Sequence, residues 1–157
     1  FGQVPIFEED GLVLFESGAI VLHVGERSEA LLPTEPVARG RAVQWLIAAL
    51  NSIEPAVWNL FLIDFIFANE EWAKLRRPGA VEFMNRRLDA LVRRLGSKPF
   101  LDGERFTAGD LMMASVLEGV LLITIARLIE TVTSTNAAIS AFSRYQGHRS
   151  GIRRVYG

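Results

Sequence analysis

The sequence predicts an α+β fold that is mostly α-helical, with a short hairpin and helix first and an all-helical bundle after them. Two observations support this prediction. Two apolar runs separated by a tight-turn dipeptide lie within the first fifteen residues. After Pro36 no run alternates as a strand does, and apolar residues recur at helical spacing. The 157 residues are 50% hydrophobic and 22% charged, which is enough apolar material for a packed core.

The hairpin is predicted from Val4–Phe7 and Leu12–Phe15, because the Asp10-Gly11 dipeptide between them is typical of a tight turn. Two strands alone are marginal in water. We therefore expect the apolar faces of this hairpin to require further sheet for cover.

The first helix is predicted to begin at Ser17, whose hydroxyl can cap it, and to end near His23–Glu26. Residues 28–35 contain two prolines and little periodicity, which predicts a linker.

Prolines mark the helices that follow. Pro36 suits a first helical turn, and Pro55 is expected to kink or break the helix that it begins. Pro78-Gly79 is predicted to open the next helix, which ends at Gly96.

The last long helix is predicted to start at a capping box, because Thr107 and Asp110 have the required spacing. This helix is largely apolar and is predicted to be buried. The tail is read as two short helices, 137–145 and 151–156, joined near Gly147.

Charge and composition exclude several classes of function. The formal net charge is −1, so no global positive field attracts nucleic acid or an anionic membrane. The chain has no cysteine, and its two histidines, His23 and His148, are far apart, so no metal site is predicted. Of two apolar segments, Val57–Ala68 is too short to span a bilayer and Met112–Ile129 is interrupted by charges. Both are predicted to be buried helices, and no membrane partner is expected.

An ordered set of motifs resembles the cytosolic glutathione transferase family. The set comprises Gly-Gln-Val-Pro at Gly2–Pro5, Glu-Ser-Gly-Ala-Ile at Glu16–Ile20, the run Phe100–Asp110 and the closing residues 153–156. The resemblance covers most of the chain. It implies a partial thioredoxin-like segment in residues 1–27, a linker in 28–35 and the family's all-helical carboxyl-terminal domain in 36–157.

The resemblance implies that this chain lacks the first βαβ unit of the thioredoxin-like domain. In the family, that unit holds the Ser, Tyr or Cys that activates the thiol of glutathione, so no catalytic residue is assigned here. The segment Thr131–Asn136 is unusually rich in Thr and Ser, where the family leads us to expect an acidic-aromatic linker.

Four residues are implied to bind glutathione. The backbone of Val4 pairs with the cysteinyl unit, and a cis Pro5 turns that backbone toward the ligand. Glu16 accepts from the γ-glutamyl ammonium, and Ser17 holds the γ-glutamyl carboxylate at the helix amino terminus. The alternatives are that Pro5 only marks an edge strand, that Ser17 is only a helix cap and that Glu16 is only a surface charge.

Asn51 and Trp58 lie on the helix that faces the ligand cleft in the family, so they are candidates for the pocket of an electrophilic co-substrate. For Trp58 the alternative is core packing, and Asn51 is equally consistent with solvent exposure. Thr107 and Asp110 are interpreted as structural, since the capping box accounts for both.

The implied function is a cytoplasmic glutathione transferase that conjugates the thiolate of glutathione, its substrate, to a hydrophobic electrophile. Such subunits usually form two-fold homodimers. One alternative is a non-catalytic binding or scaffold protein of the same fold. A glutathione-dependent isomerase or dehalogenase of the same family is another.

Overall fold

A computed structural model describes Gly2 and the backbone of residues 4–152, with the side chains of 4–129 and of Thr133. The chain forms an antiparallel hairpin followed by helices, which confirms the predicted mostly helical α+β class. The elements are β1 (Ile6–Glu9), β2 (Leu12–Phe15), α1 (Ser17–Gly25), α2 (Pro36–Ala48), α3 (Glu54–Phe61), α4 (Glu71–Leu95) and α5 (Ala108–Ile152).

The hairpin turns where the Asp-Gly dipeptide predicts. Asp10 and Gly11 have φ angles of 49° and 82°, the left-handed pair of a type I′ turn. The pairing places Ile6 opposite Phe15. The first strand begins at Ile6 and not at Val4, because Pro5 has no amide hydrogen to donate to the ladder. Ile6 and Phe15 are 62% and 50% exposed, so the expected lack of cover on this sheet is observed.

Residues 36–66 form one helical run in which two π-helical turns, Ala49–Ile53 and Leu62–Ile66, flank α3. Pro36 occupies the first turn as predicted, and the carboxylate of Glu35 caps it by accepting from two backbone amides. Pro55 follows the first π turn directly. In a regular α-helix the amide of residue 55 would donate to the carbonyl of residue 51, but proline has no amide hydrogen. The predicted kink or break therefore takes the form of a π turn.

The helix α4 begins at Glu71, seven residues before the predicted start, and Pro78 lies inside it. Tertiary contacts account for its persistence through the proline. Ala73 is fully buried, and the guanidinium of Arg77 donates to the carboxylate of Asp64 over 2.7 and 3.1 Å. The side chain of Asp64 is wholly buried, so this charge pair ties α4 to the second π turn.

At the start of α5 the Asp110 carboxylate accepts the Thr107 amide, which is one half of the predicted capping box. Asp110 accepts from the amide and the hydroxyl of Thr107, both over 2.9 Å, and from the amide of Leu101 over 2.8 Å. Gly109 lies directly against α2, since a Cβ there would be 2.4 Å from Cβ of Trp45. The amide of Ala108 donates to the carbonyl of Leu31, which fixes the predicted linker to the start of α5.

The predicted break near Gly147 is wrong, because α5 continues from Ala108 to Ile152. A single glycine costs a helix only about 1 kcal/mol. The backbone of Thr131–Asn136 is helical, and the hydroxyl of Thr133 donates to the carbonyl of Ile129. Of the second predicted tail helix, residues 153–156 lie outside the described residues.

The chain divides into two compact units, Phe1–Val120 and Leu121–Gly157, and the predicted linker 28–35 lies within the first. The core of the first unit is aliphatic and includes Leu46, Ile53, Leu60, Ile63 and Met112.

Burial of the second apolar segment is only partly as predicted. Met112, Met113 and Val116 are buried, but Leu122 and Ile129 are 62% and 60% exposed. By length and composition, the helical runs Pro36–Ile66 and Ala108–Ile129 are each long and apolar enough to cross a membrane. The segment Val57–Ala68 was predicted to be too short to span a bilayer, but that argument does not hold for the whole run that contains it. Core helices of soluble proteins pass the same test.

Candidate functional site

One wall of the candidate site is the chain that leads into β1. The peptide bond between Val4 and Pro5 is cis, as expected. The side chain of Val4 is 89% exposed, and neither its amide nor its carbonyl has a hydrogen-bond partner among the described residues. A backbone donor and acceptor are therefore available for a peptide-like ligand, as in strand addition.

The turn from β2 into α1 places Glu16 and Ser17 at the helix start. The structure corrects the predicted cap here: the residue before the helix is Glu16, and Ser17 is the first residue of the helix. No side chain of the described residues caps this end, and the first amides of a helix have no partner within it. These amides and the positive end of the helix dipole favour a bound anion.

Glu16 has φ 71° and ψ 116°, an angle pair that residues other than glycine rarely adopt. Such a conformation costs of order 1–3 kcal/mol and persists only where the surrounding structure imposes it. Here the carbonyl of Glu16 accepts the amide of Ile20 over 3.0 Å, so the strained residue belongs to the first turn of α1.

The opposite wall comes from the first π turn and the start of α3. Gly18 permits the approach, because a Cβ at this position would be 2.6 Å from Cδ1 of Leu50. The helix start that carries Ser17 is thereby held against the turn that carries Leu50 and Asn51. π turns occur frequently at functional sites.

These walls enclose a cavity of about 470 Å³, which is within the range of ligand sites in proteins. Its lining includes five of the residues proposed from the sequence: Val4, Pro5, Glu16, Ser17 and Asn51. The remaining lining residues are Gly2, Ile6, Val13, Phe15, Leu50 and Glu54.

Glu54 is a lining residue that the sequence analysis missed. Burial and, secondarily, the negative charge of Glu16 raise the pKa of the Glu54 carboxyl. Helical spacing gave no sure signal for it, because Asn51 lies in the π turn, which changes which residues of the run share a face.

Trp58 does not line this cavity. It is 59% exposed and stacks on Phe61 with ring centroids 5.2 Å apart. A seven-residue spacing keeps Asn51 and Trp58 on one face only in an uninterrupted α-helix, and the π turn interrupts it. Thr107 and Asp110 also lie elsewhere, in the cap of α5.

Within the residues that the structure describes, no group of three or more His, Cys, Asp or Glu side chains is placed to hold a metal ion. Glu16 and Glu54 are two carboxylates that line the cavity beside the start of α1, whose first amides have no side-chain cap among the described residues. This arrangement suits an organic ligand that bears both a cation and an anion.

Comparison with known proteins gives one family and several relatives. Residues 1–26 match the model of the glutathione S-transferase amino-terminal domain. The chain is 33% identical over 119 residues to elongation factor 1-gamma of Equus caballus, covering 74% of this chain and 26% of that protein. It is 30% identical over 119 residues to glutathione S-transferase F14 of Arabidopsis thaliana, covering 71% of this chain and 46% of that protein.

Among solved structures, a glutathione transferase from Burkholderia graminis with two bound glutathione molecules per subunit superposes with a TM-score of 0.68 at 25% identity. The match covers 78% of this chain and 52% of that one. The chain therefore spans between a quarter and about half of the length of these three relatives.

Proposed function

The chain belongs to the glutathione transferase fold family, and from this premise we propose that its cavity binds glutathione and that the protein is a glutathione transferase subunit. The observation that carries the proposal is the convergence of Val4, Glu16 and Ser17 on one cavity of suitable volume. The Burkholderia graminis relative, crystallised with glutathione, supports the choice of ligand.

In the proposed complex each part of the tripeptide meets a different kind of group. The amide and carbonyl of Val4, which have no partner among the described residues, pair with the cysteinyl unit. The hydroxyl and amide of Ser17 donate to the γ-glutamyl carboxylate at the start of α1, and the carboxylate of Glu16 accepts from the ammonium. These residues position the tripeptide, and none of them is assigned the role of lowering the pKa of its thiol.

The proposed chemistry is nucleophilic substitution or addition by the glutathione thiolate on an apolar electrophile. The sulfur forms a new bond to the electrophilic carbon, and a leaving group, where there is one, departs with the bonding pair. Asn51 lines the cavity and remains a candidate for contact with the co-substrate.

Calorimetric titration with glutathione tests the binding proposal. The double variant Glu16→Ala/Ser17→Ala is expected to abolish binding, because it removes a charge-assisted bond to the ammonium and another to the carboxylate of the γ-glutamyl group. Ser115→Ala is a matched control, since Ser115 is also on a helix surface but bonds the carbonyl of Leu111. Wild-type protein that binds no glutathione, or a double variant that binds as well as wild type, would contradict the proposal.

A non-catalytic binding or scaffold protein is the second candidate, and the 33% identity to elongation factor 1-gamma favours it. Thioether formation with an aryl halide separates the two, since only the transferase consumes glutathione. A scaffold role that is independent of the cavity predicts that Glu16→Ala/Ser17→Ala still binds a protein partner. Loss of that binding in the double variant would argue against such a role.

A two-fold homodimer is also part of the proposal. Trp58 and Ile66 are 59% and 58% exposed, which supports a further contact along this helical run. Light scattering coupled to size exclusion is expected to give twice the mass of one chain.

A further inference from the structure

The helix α4 carries more positive charge than its surroundings neutralise. Its 25 residues include seven Lys or Arg and only three acidic residues. Three of the seven cations pair with carboxylates. Within the described part of the chain the other four have no ion-pair partner: Arg76, Arg87, Arg93 and Arg94. The whole chain has a formal net charge of −1, so this excess is local to α4.

Three of the unpaired arginines share one side of α4. Arg76, Arg87 and Arg94 are separated by eleven and seven residues, which places them within about 20° of one another around the helix axis. They form a stripe about 27 Å long. The acidic residues of the helix lie about 120° or more away from this stripe: Glu71, Glu82 and Asp89. Charges of opposite sign are therefore segregated, whereas a helix surface stabilised by i,i+4 pairs mixes them.

The stripe borders two cavities between α4 and the helical run 36–66. The first, of about 520 Å³, is lined by Arg76 and Phe83 on one side and by Asn59 on the other. The second, of about 190 Å³, lies farther along α4 and is lined by Arg87 and, across from it, by Trp45. None of the described residues that line either cavity is acidic. Arginines and cavities thus alternate along one groove.

Aromatic rings hold two of the arginines in place. The guanidinium carbon of Arg87 is 5.0 Å from the ring centroid of Phe83, and that of Arg94 is 5.7 Å from the ring centroid of Trp45. A stacked guanidinium keeps its N–H edge available for a carboxylate. Because the planar group is already positioned, less side-chain freedom is lost for each hydrogen bond that it forms.

We propose that this arginine groove, defined by Arg76, Arg87, Arg94 and the two cavities, binds an acidic peptide segment of a protein partner. Carboxylates of the segment accept from the guanidinium groups, and apolar side chains between them enter the cavities. A nucleic acid strand fits less well, because the rings that would stack on its bases already carry guanidinium groups. The groove shares no lining residue with the cavity proposed for glutathione, so the inference is independent of that proposal.

Fluorescence anisotropy of a labelled peptide tests the inference. The probe repeats Glu-Glu-Phe-Asp four times, and its control peptide has the corresponding amide in place of every acidic residue. Arg76→Gln/Arg87→Gln is expected to weaken binding of the acidic peptide about tenfold or more, because two charge-assisted bonds are lost. Lys74→Gln/Arg93→Gln is the matched control, which removes the same charge from α4 outside the groove. It is expected to change the affinity by less than about twofold.

Urea unfolding checks that each variant is folded, since Arg87→Gln removes the stacking contact on Phe83. Arg76→Lys/Arg87→Lys provides a second test, because lysine keeps the charge but has no planar fork. Its affinity for the acidic peptide is expected to lie between those of wild type and the glutamine variant.

Wild type is expected to bind the acidic peptide and not its amide control. Binding of neither peptide, equal binding of both, or an equal loss of affinity in the two glutamine variants would overturn the inference. Tighter binding of oligothymidylate than of the acidic peptide would overturn it in favour of nucleic acid. A mass by light scattering that halves only in Arg76→Gln/Arg87→Gln would overturn it in favour of a contact between two copies of this chain.

Discussion

Replacement of Gly109 by alanine reverses the usual effect of this substitution in a helix. Alanine is ordinarily more stable than glycine in a helix by about 0.5–1 kcal/mol. At Gly109 the added Cβ would lie 2.4 Å from Cβ of Trp45, 3.0 Å from the carbonyl oxygen of Ala42 and 3.3 Å from the amide nitrogen of Leu46. Two of these atoms are backbone and the third is fixed to it, so relief requires α2 and α5 to separate.

Overpacking of a closed contact costs about 1–3 kcal/mol, which exceeds the gain in helix propensity. We expect Gly109→Ala to lower the free energy of unfolding by about 1–2 kcal/mol after that gain is subtracted. Gly40→Ala is the matched control, because Gly40 lies within α2 and a Cβ there has nothing within 4 Å. It is expected to raise stability by about 0.5–1 kcal/mol.

Urea unfolding followed by circular dichroism at 222 nm measures both variants, with the slope compared to confirm that only the midpoint moves. The expected result is a lower midpoint for Gly109→Ala and a higher one for Gly40→Ala. If Gly109→Ala is as stable as Gly40→Ala, the contact between α5 and α2 is not closed and the reasoning is refuted.

Two further predictions concern carboxylates that bond backbone amides. Asp110→Ala should lower the free energy of unfolding by about 2 kcal/mol in the same urea assay, because it removes a cap and leaves the buried amide of Leu101 without its acceptor. Asp110→Asn should lose less stability. An equal loss of stability in the two variants would count against the cap. The amides of Val37 and Ala38 lower the pKa of Glu35, so its contribution to stability is present at neutral pH and is lost as pH falls through that lowered pKa. In Glu35→Gln the melting temperature should therefore fall less steeply than in wild type as the pH is lowered into the acid range. A pH dependence equal to that of wild type would contradict this.

Local chemistry made much of the fold predictable. The turn at Asp10-Gly11, the return strand Leu12–Phe15 and the capping box of α5 each depend on residues within four positions of one another. Short-range preferences of this kind can be read from the sequence because little else competes with them.

The errors arise where tertiary contacts outweigh local preference. Pro78 is a strong helix breaker by itself, yet the buried pair of Asp64 and Arg77 and the burial of Ala73 hold α4 through it. The cap at α1 was misassigned because the unusual φ of Glu16 displaces Ser17 into the helix. Propensity scales do not describe the backbone angles of individual residues, so they could not predict the positive φ of Glu16.

The candidate site was predictable to the extent that its residues are close in sequence or belong to a recognised motif. Val4, Pro5, Glu16 and Ser17 satisfy both conditions, and all line the cavity. Glu54 was missed because its relation to Glu16 depends on how the helical run folds back on α1.

The strain at Glu16 can be tested by substitution of that residue. Of the two described non-glycine residues with positive φ, Asp10 is accounted for by the hairpin turn and Glu16 is not. Glycine adopts such angles without the Cβ penalty, so Glu16→Gly should be more stable than Glu16→Ala by about 1 kcal/mol, after allowance for the greater freedom of glycine in the unfolded chain. Urea midpoints of the two variants give this difference.

The control is the same two substitutions at Glu8, an exposed residue of β1. There the alanine variant should be more stable than the glycine variant, because glycine weakens a strand. If glycine and alanine have the same order of stability at both positions, the conformation of Glu16 is not strained. The expected reversal would mean that the fold holds Glu16 in a costly conformation, as functional sites often do.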